Sequence, residues 1–202
     1  MKARVLCLGS LVPLLLLASA CRDEPVRPAV ASAEANVAQQ PSSQIGEATG
    51  SPAVAVYRVS LSPLNGSDVR GTATLTVTGQ DLVVQLQAVG HVPDMTHAQH
   101  IHGFADGTDA TCPAPEVAGD DGVLTFAEGL PFYGPVQLVL TPFPTPPNSA
   151  GAIQYRASFA GADLAFQPSD LELKTMVLHG DFVGGEFVGS LPVACGVVER
   201  VN

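Results

Sequence analysis

Short runs in which apolar and polar residues alternate make up most of the chain after about residue 53. Thr72-Ala-Thr-Leu-Thr-Val-Thr78 places threonines on one face and Ala73, Leu75 and Val77 on the other, the period-two pattern of a half-buried strand. Residues 81–88 resume the alternation after a Thr-Gly-Gln-Asp turn, so the two runs are expected to pair as a hairpin. Residues 54–61 alternate toward their end. Further strands are expected over 99–104, 136–141, 153–159, 174–179, 186–191 and 193–198, with glycines and prolines in the gaps. Helical periodicity is nearly absent. Many short strands separated by turn residues predict an all-β sandwich or barrel.

The pattern is different at the N-terminus. Lys2 and Arg4 precede a short apolar run over 5–17, followed by Ala18-Ser19-Ala20 and Cys21. A basic start, an apolar core and small residues are the parts of an export signal, and the run is too short for a stable membrane span. Residues 17–21 resemble a bacterial lipobox, whose cysteine is acylated and becomes the new N-terminus. That implies a signal over 1–20 and a mature protein anchored to a membrane of the cell envelope through Cys21. Plain secretion with Cys21 free is the alternative. Residues 21–52, rich in Ala, Pro, Ser, Gln and Glu, have no sustained apolar period and read as a disordered tether. Residues 53–202 are then one folded domain.

Charge and cysteine usage narrow the partners and the compartment. Nine Lys and Arg stand against 19 Asp and Glu, a formal net charge of −10, so nucleic acid is a poor partner. No protein partner can be read from the sequence. Of four cysteines, Cys7 leaves with the signal and Cys21 takes the lipid. Cys112 and Cys195 remain, and an oxidising compartment would join them, the alternative being two buried free thiols.

The candidate chemistry lies in the histidines. Of five in all, three fall in His97-Ala-Gln-His100-Ile-His102. His100 and His102 are two apart, so on a strand they leave one face and can converge on one ion. His179 ends another apolar run that a second strand could bring to the same place. Neutral imidazole is a common ligand for copper and zinc. The alternative is a polar, metal-free cluster at a strand end. Met95 could add a thioether or simply pack in its loop. His91, between Gly90 and Val92, is expected in a solvated loop, and 142–147 is expected to be a stiff proline-rich connector. Asp121 and Glu128 would fall on two positions of a calcium loop turning at Gly122. Its first and third positions would be Val117 and Gly119, so an ordinary acidic turn is expected.

These residues resemble the Cu/Zn superoxide dismutase family. The matching features are His97-x-x-His100-x-His102 with Phe104, a cysteine soon after at Cys112, Met176-Val-Leu-His179, and the closing Ala194-Cys-Gly-Val197. The resemblance implies a Greek-key β-barrel or sandwich, a copper held by His100, His102 and His179, and His97 supporting the ligands from behind. It also implies a Cys112–Cys195 bond. Between Cys112 and His179 there is no histidine, so the family's bridging imidazole and zinc ligands have no counterpart and no zinc site is expected. Pro192 stands where the family has an arginine that guides superoxide. Residues 100–103 together with 179–191 are also similar to chordin-type (CHRD) domains of exported bacterial proteins.

The expected protein is therefore an envelope-anchored copper-binding domain whose dismutase activity is weak or absent. The alternative is a structural or binding domain without catalysis.

Overall fold

The structure, a computed structural model, describes residues 52–201. The signal, Cys21 and nearly all of the tether lie outside them. The strands are β1 (Val54–Pro63), β2 (Arg70–Thr78), β3 (Asp81–Val89), β4 (Gln99–His102), β5 (Val136–Val139), β6 (Ile153–Phe159), β7 (Thr175–Val183) and β8 (Glu186–Arg200). One short helix, α1 (Phe126–Tyr133), interrupts them. Every pairing is antiparallel, in the order β5-β4-β7-β8-β1-β2-β3-β6. The all-β expectation holds.

The alternating runs form the strands they predict. β2 and β3 pair as a hairpin with Leu75 opposite Val84 and Thr72 opposite Gln87, so the apolar positions share one face and the threonines and glutamines the other. That inner face meets the other half of the sheet. Leu75 and Leu86 from one side and Ile101, Met176 and Leu178 from the other belong to a single buried cluster. The sheet is therefore curled over its own core. Burying one such aliphatic side chain contributes about 1.5–3 kcal/mol.

β8 joins the two halves. Its 186–197 portion pairs with β7 and its 194–200 portion with β1. The sequence suggests two strands here, broken at Pro192, but the chain runs through. Pro192 faces His179, where the β7–β8 register shifts, and a proline without an N–H is tolerated at such an irregularity.

A second apolar cluster lies on the outer face of β7 and β8, where Val177 and Cys195 pack with Leu64, Leu124 and Tyr133 beneath the segment between β4 and β5. That segment holds α1, which the strand pattern does not reveal. The acidic turn at 120–122 leads into it. Glu128 accepts hydrogen bonds from the Thr125 N–H (2.8 Å) and hydroxyl (2.7 Å), while its own N–H reaches the Thr125 hydroxyl at 3.3 Å. This is a capping box. Asp121 accepts from the Val123 N–H at 3.0 Å. Both acidic side chains thus serve the local backbone.

Cys112 and Cys195 are bonded, 83 residues apart in sequence and with Cα atoms 5.7 Å apart. The bond ties the covering segment to β8. On the chain-entropy account, closing so long a loop stabilises by about 4–5 kcal/mol. Replacing both cysteines by alanine should lower the unfolding free energy by that order in guanidinium titrations. A loss below about 1 kcal/mol would refute the bond as a major constraint.

Candidate metal centre

β4 and β7 are neighbours, with His100 opposite Val177 and His102 opposite Thr175. Their core-facing residues are Ile101, Met176 and Leu178, so His100, His102 and His179 project from the other face, beneath the covering segment. Two irregularities coincide with these residues. The β4–β5 register shifts between Ile101 and His102, and the β7–β8 register shifts on both sides of His179. Bulges re-aim side chains. One ligand atom from each histidine lies within 4.8 Å of the others. The structure brings together the three residues that the sequence singles out.

Backbone carbonyls orient two of the rings. His102 Nδ1 is 2.9 Å from the Gly134 oxygen, and His179 Nδ1 is 3.0 Å from the Ser190 oxygen. A carbonyl only accepts, so each Nδ1 carries the proton and each Nε2 keeps its lone pair. Both Nε2 atoms are buried without a partner, as is His100 Nδ1. A buried polar atom left unpaired costs about 1–3 kcal/mol. An unpartnered buried nitrogen on each of three clustered histidines is the arrangement a shared cation would satisfy. Gly134 makes one of these contacts possible. Its φ is +76°, and a Cβ there would lie 2.6 Å from the Gly103 carbonyl carbon.

The surroundings keep the rings neutral. Burial lowers the His100 pKa, lowers His102 to about 4 and lowers His179 to about 3, with the neighbouring imidazoles adding to the last two. Neutral rings are the form that binds metal. The enclosure is aromatic. The His102 ring lies 4.7 Å from Tyr133 and 6.0 Å from Phe126, and His100 lies 5.7 Å from Phe143. His102 and His179 are 0 % and 1 % exposed, whereas His100 is half-buried and marks the open side. No sequence pattern marks these aromatic residues as neighbours of the histidines, although Thr125-x-x-Glu128 is a readable helix start.

His97 sits behind the cluster. Its Nδ1 is 3.1 Å from the His179 carbonyl oxygen and its Nε2 is 2.8 Å from that of Val92. It therefore touches the backbone of a candidate ligand and no ligand ring nitrogen. Gly180, with φ +107°, gives it room, since a Cβ there would lie 2.9 Å from His97 Nδ1. Met95 is half-buried in the same loop.

His91 corrects an expectation. It is 3 % exposed, with its ring 4.4 Å from that of His97 and both nitrogens buried without a partner. The cause is tertiary. The His91 N–H donates to Gly151, Asp94 to Pro146 and His97 to Pro144, so the proline-rich connector lies over the 90–98 loop and excludes water. Burial, with His97 adding, lowers the His91 pKa to about 4.

No protein-family model and no curated protein matches the chain. Among solved structures it is similar to Candida albicans superoxide dismutase 5 with Cu(II), at 11 % identity and a TM-score of 0.42, over 76 % of this chain and 94 % of that one.

The buried histidines give the metal-free protein an acid limit. Unfolded, His91 and His102 bind protons near pH 6.5, but folded they do so only near 4. Between these values the unfolded chain holds more protons, so stability is greatest above pH 6.5 and falls as pH drops toward 4. Each contributes about 3 kcal/mol to that loss. His91→Leu, similar in volume, should flatten the pH 4–6.5 limb of the chelator-treated protein in denaturant titrations. An unchanged limb would show that His91 is not buried neutral.

Proposed function

We propose that the chain is an exported, envelope-anchored copper-binding protein. Its domain is of the Cu/Zn superoxide dismutase type without a zinc site, and its dismutase activity is weak or absent. One observation carries this reading: three neutral imidazoles, from two paired strands, meet with a buried, unpartnered nitrogen on each. Three soft-to-borderline nitrogen donors in an aromatic enclosure suit Cu(I), whose preferred coordination numbers are low. A copper ion held there would supply one-electron redox chemistry.

The chain's own residues have definable parts. Gly134 and Ser190 hold the His102 and His179 rings through their Nδ1–H groups, which fixes the tautomer and strengthens Nε2 as a donor. His97 packs behind His179, with its ring nitrogens against the carbonyl oxygens of His179 and Val92. The rings of Phe126 and Tyr133 pack against His102 and that of Phe143 against His100. None of these groups delivers a proton quickly or attracts an anion. Pro192, opposite His179, has no charge where the dismutases carry an arginine. With no histidine between Cys112 and His179, a zinc site on the family's plan lacks its ligands. Weak activity follows from these absences.

A chordin-type binding domain without catalysis is the second reading. The near-complete burial of His102 and His179 favours it, because a closed cluster suits a store or a structural ion better than rapid turnover. The Cys112–Cys195 bond suits an oxidising compartment, and Cys21 remains the proposed lipid attachment.

Metal analysis of the purified protein, followed by a superoxide assay after copper is restored, tests the assignment. One copper per chain is expected, with superoxide consumption far below the diffusional range of about 10⁸–10⁹ M⁻¹s⁻¹. A rate within that range would overturn the reading of weak or absent activity, and a purified protein that holds no copper and binds none when it is restored would favour the second. Replacing His100, His102 or His179 by alanine should each abolish tight binding, while His97→Ala should weaken it about 10–100-fold. Full copper binding by His179→Ala would overturn the site.

Anchoring is tested separately. Cys21→Ser should move the protein from the membrane fraction to the soluble fraction, and unchanged partitioning would refute lipidation at Cys21.

A further inference from the structure

The outer face of β1, β2, β3 and β6, strands that carry none of the three candidate ligands, differs in charge from the rest of the domain. Residues 52–201 carry five basic side chains, Arg58, Arg70, Arg156, Lys174 and Arg200, against fifteen carboxylates. Three of the five, Arg58, Arg70 and Arg156, fall on the outward positions of these strands, in phase with Thr72 and Thr74. The sole carboxylate within the four strands is Asp81, at the far end, where it accepts from the Gly161 N–H at 3.1 Å. Glu199 of β8 lies opposite Arg58. The face is a basic island on an acidic domain.

Between the arginines runs a polar groove. The register aligns Thr72, Gln87 and Gln154 in one row across the strands and Thr74, Gln85 and Arg156 in the next. These residues line a groove of about 500 Å³. Past Thr72, Gln87 and Gln154 it opens into a second lobe of about 450 Å³, more apolar because Leu61, Ala88 and Ile153 line it, which ends at Arg70 and Val89. Among the described residues, none of the six row side chains makes a hydrogen bond or ion pair. The sheet spaces the residues of one row about 4.8 Å apart, from strand to strand, and the two rows about 6.7 Å apart along the strands, so amides and hydroxyls stand in a fixed lattice.

We propose that this groove binds an acidic polysaccharide, one whose sugar rings carry carboxylates. Amides and hydroxyls on a rigid lattice offer paired donors and acceptors to the hydroxyls of successive sugars. The guanidinium of Arg156 offers a planar fork to a carboxylate, and Arg58 and Arg70 extend the attraction along the chain. A peptide is disfavoured because β2 and β3 are paired on both sides. The free edge is that of β6, to one side of the rows, so a peptide added as a strand would lie beside the groove and leave the β2–β3 rows uncovered. The site is independent of the copper reading.

Calorimetric titration of the full-length protein with oligogalacturonate, neutral dextran oligomers, polyglutamate and anionic phospholipid vesicles tests this. Oligogalacturonate should bind, increasingly weakly with salt, and dextran should not. Arg156→Gln and the pair Gln87→Ala/Gln154→Ala should each weaken binding about tenfold, with copper affinity and the unfolding midpoint unchanged. Absence of oligogalacturonate binding, equal binding by the variants, or binding of polyglutamate or vesicles as tight as that of the uronate would each overturn the proposal.

Discussion

The site depends on placing neutral imidazoles in a dry part of the fold while giving only one nitrogen of each constrained ring a partner. For His102 and His179 that partner is a backbone carbonyl, of Gly134 and Ser190. A carbonyl cannot donate, so the tautomer is decided by the backbone and the remaining lone pair has to face inward. Burial then works in the same direction. It opposes protonation of the rings and leaves electron pairs that only a cation or another donor can satisfy.

The rest of the domain can be understood as what holds those carbonyls and rings in place. Gly134 comes close to Gly103 at the end of α1, where a side chain would collide with the Gly103 backbone. The Ser190 carbonyl lies on β8 just before Pro192, where the missing N–H and the shifted register change the ladder opposite His179. The disulfide fixes the segment carrying α1 to the same β8, so the aromatic wall and the strand share one anchor. His97 and the proline-rich connector close the other side, linking the 90–98 loop to residues 144–151. Changes at some distance from the rings should therefore reach them through the backbone.

The two halves of the sheet have opposite chemistry on their outer faces. Beyond β4, β7 and the first part of β8 lie buried imidazoles under an aromatic cover. Beyond β2, β3 and β6 lie exposed threonine, glutamine and arginine side chains in open rows. Both follow from strand alternation around one core. The residues not needed inside are free to differ, and each half spends its outward positions differently.

Much of this was legible in the sequence. Period-two alternation set the strands and the β2–β3 hairpin, because that pattern is a local consequence of backbone geometry. His100 and His102 could be placed on one face from their spacing alone, and Cys112 and Cys195 could be paired by counting. What could not be read locally was decided by contacts distant in sequence. His91 looks like a loop residue, and only the connector some fifty residues downstream buries it. Glu186 to Arg200 looks like two strands, and only pairing with β7 and β1 carries it through Pro192. The carbonyls of Gly134 and Ser190 have no sequence signature, since every residue carries the same group. The sequence alone determined which side chains could bind a metal and which strands would carry them. The tertiary structure decided which nitrogen of each ring is left free, because that depends on which backbone oxygen the fold brings within 3.0 Å.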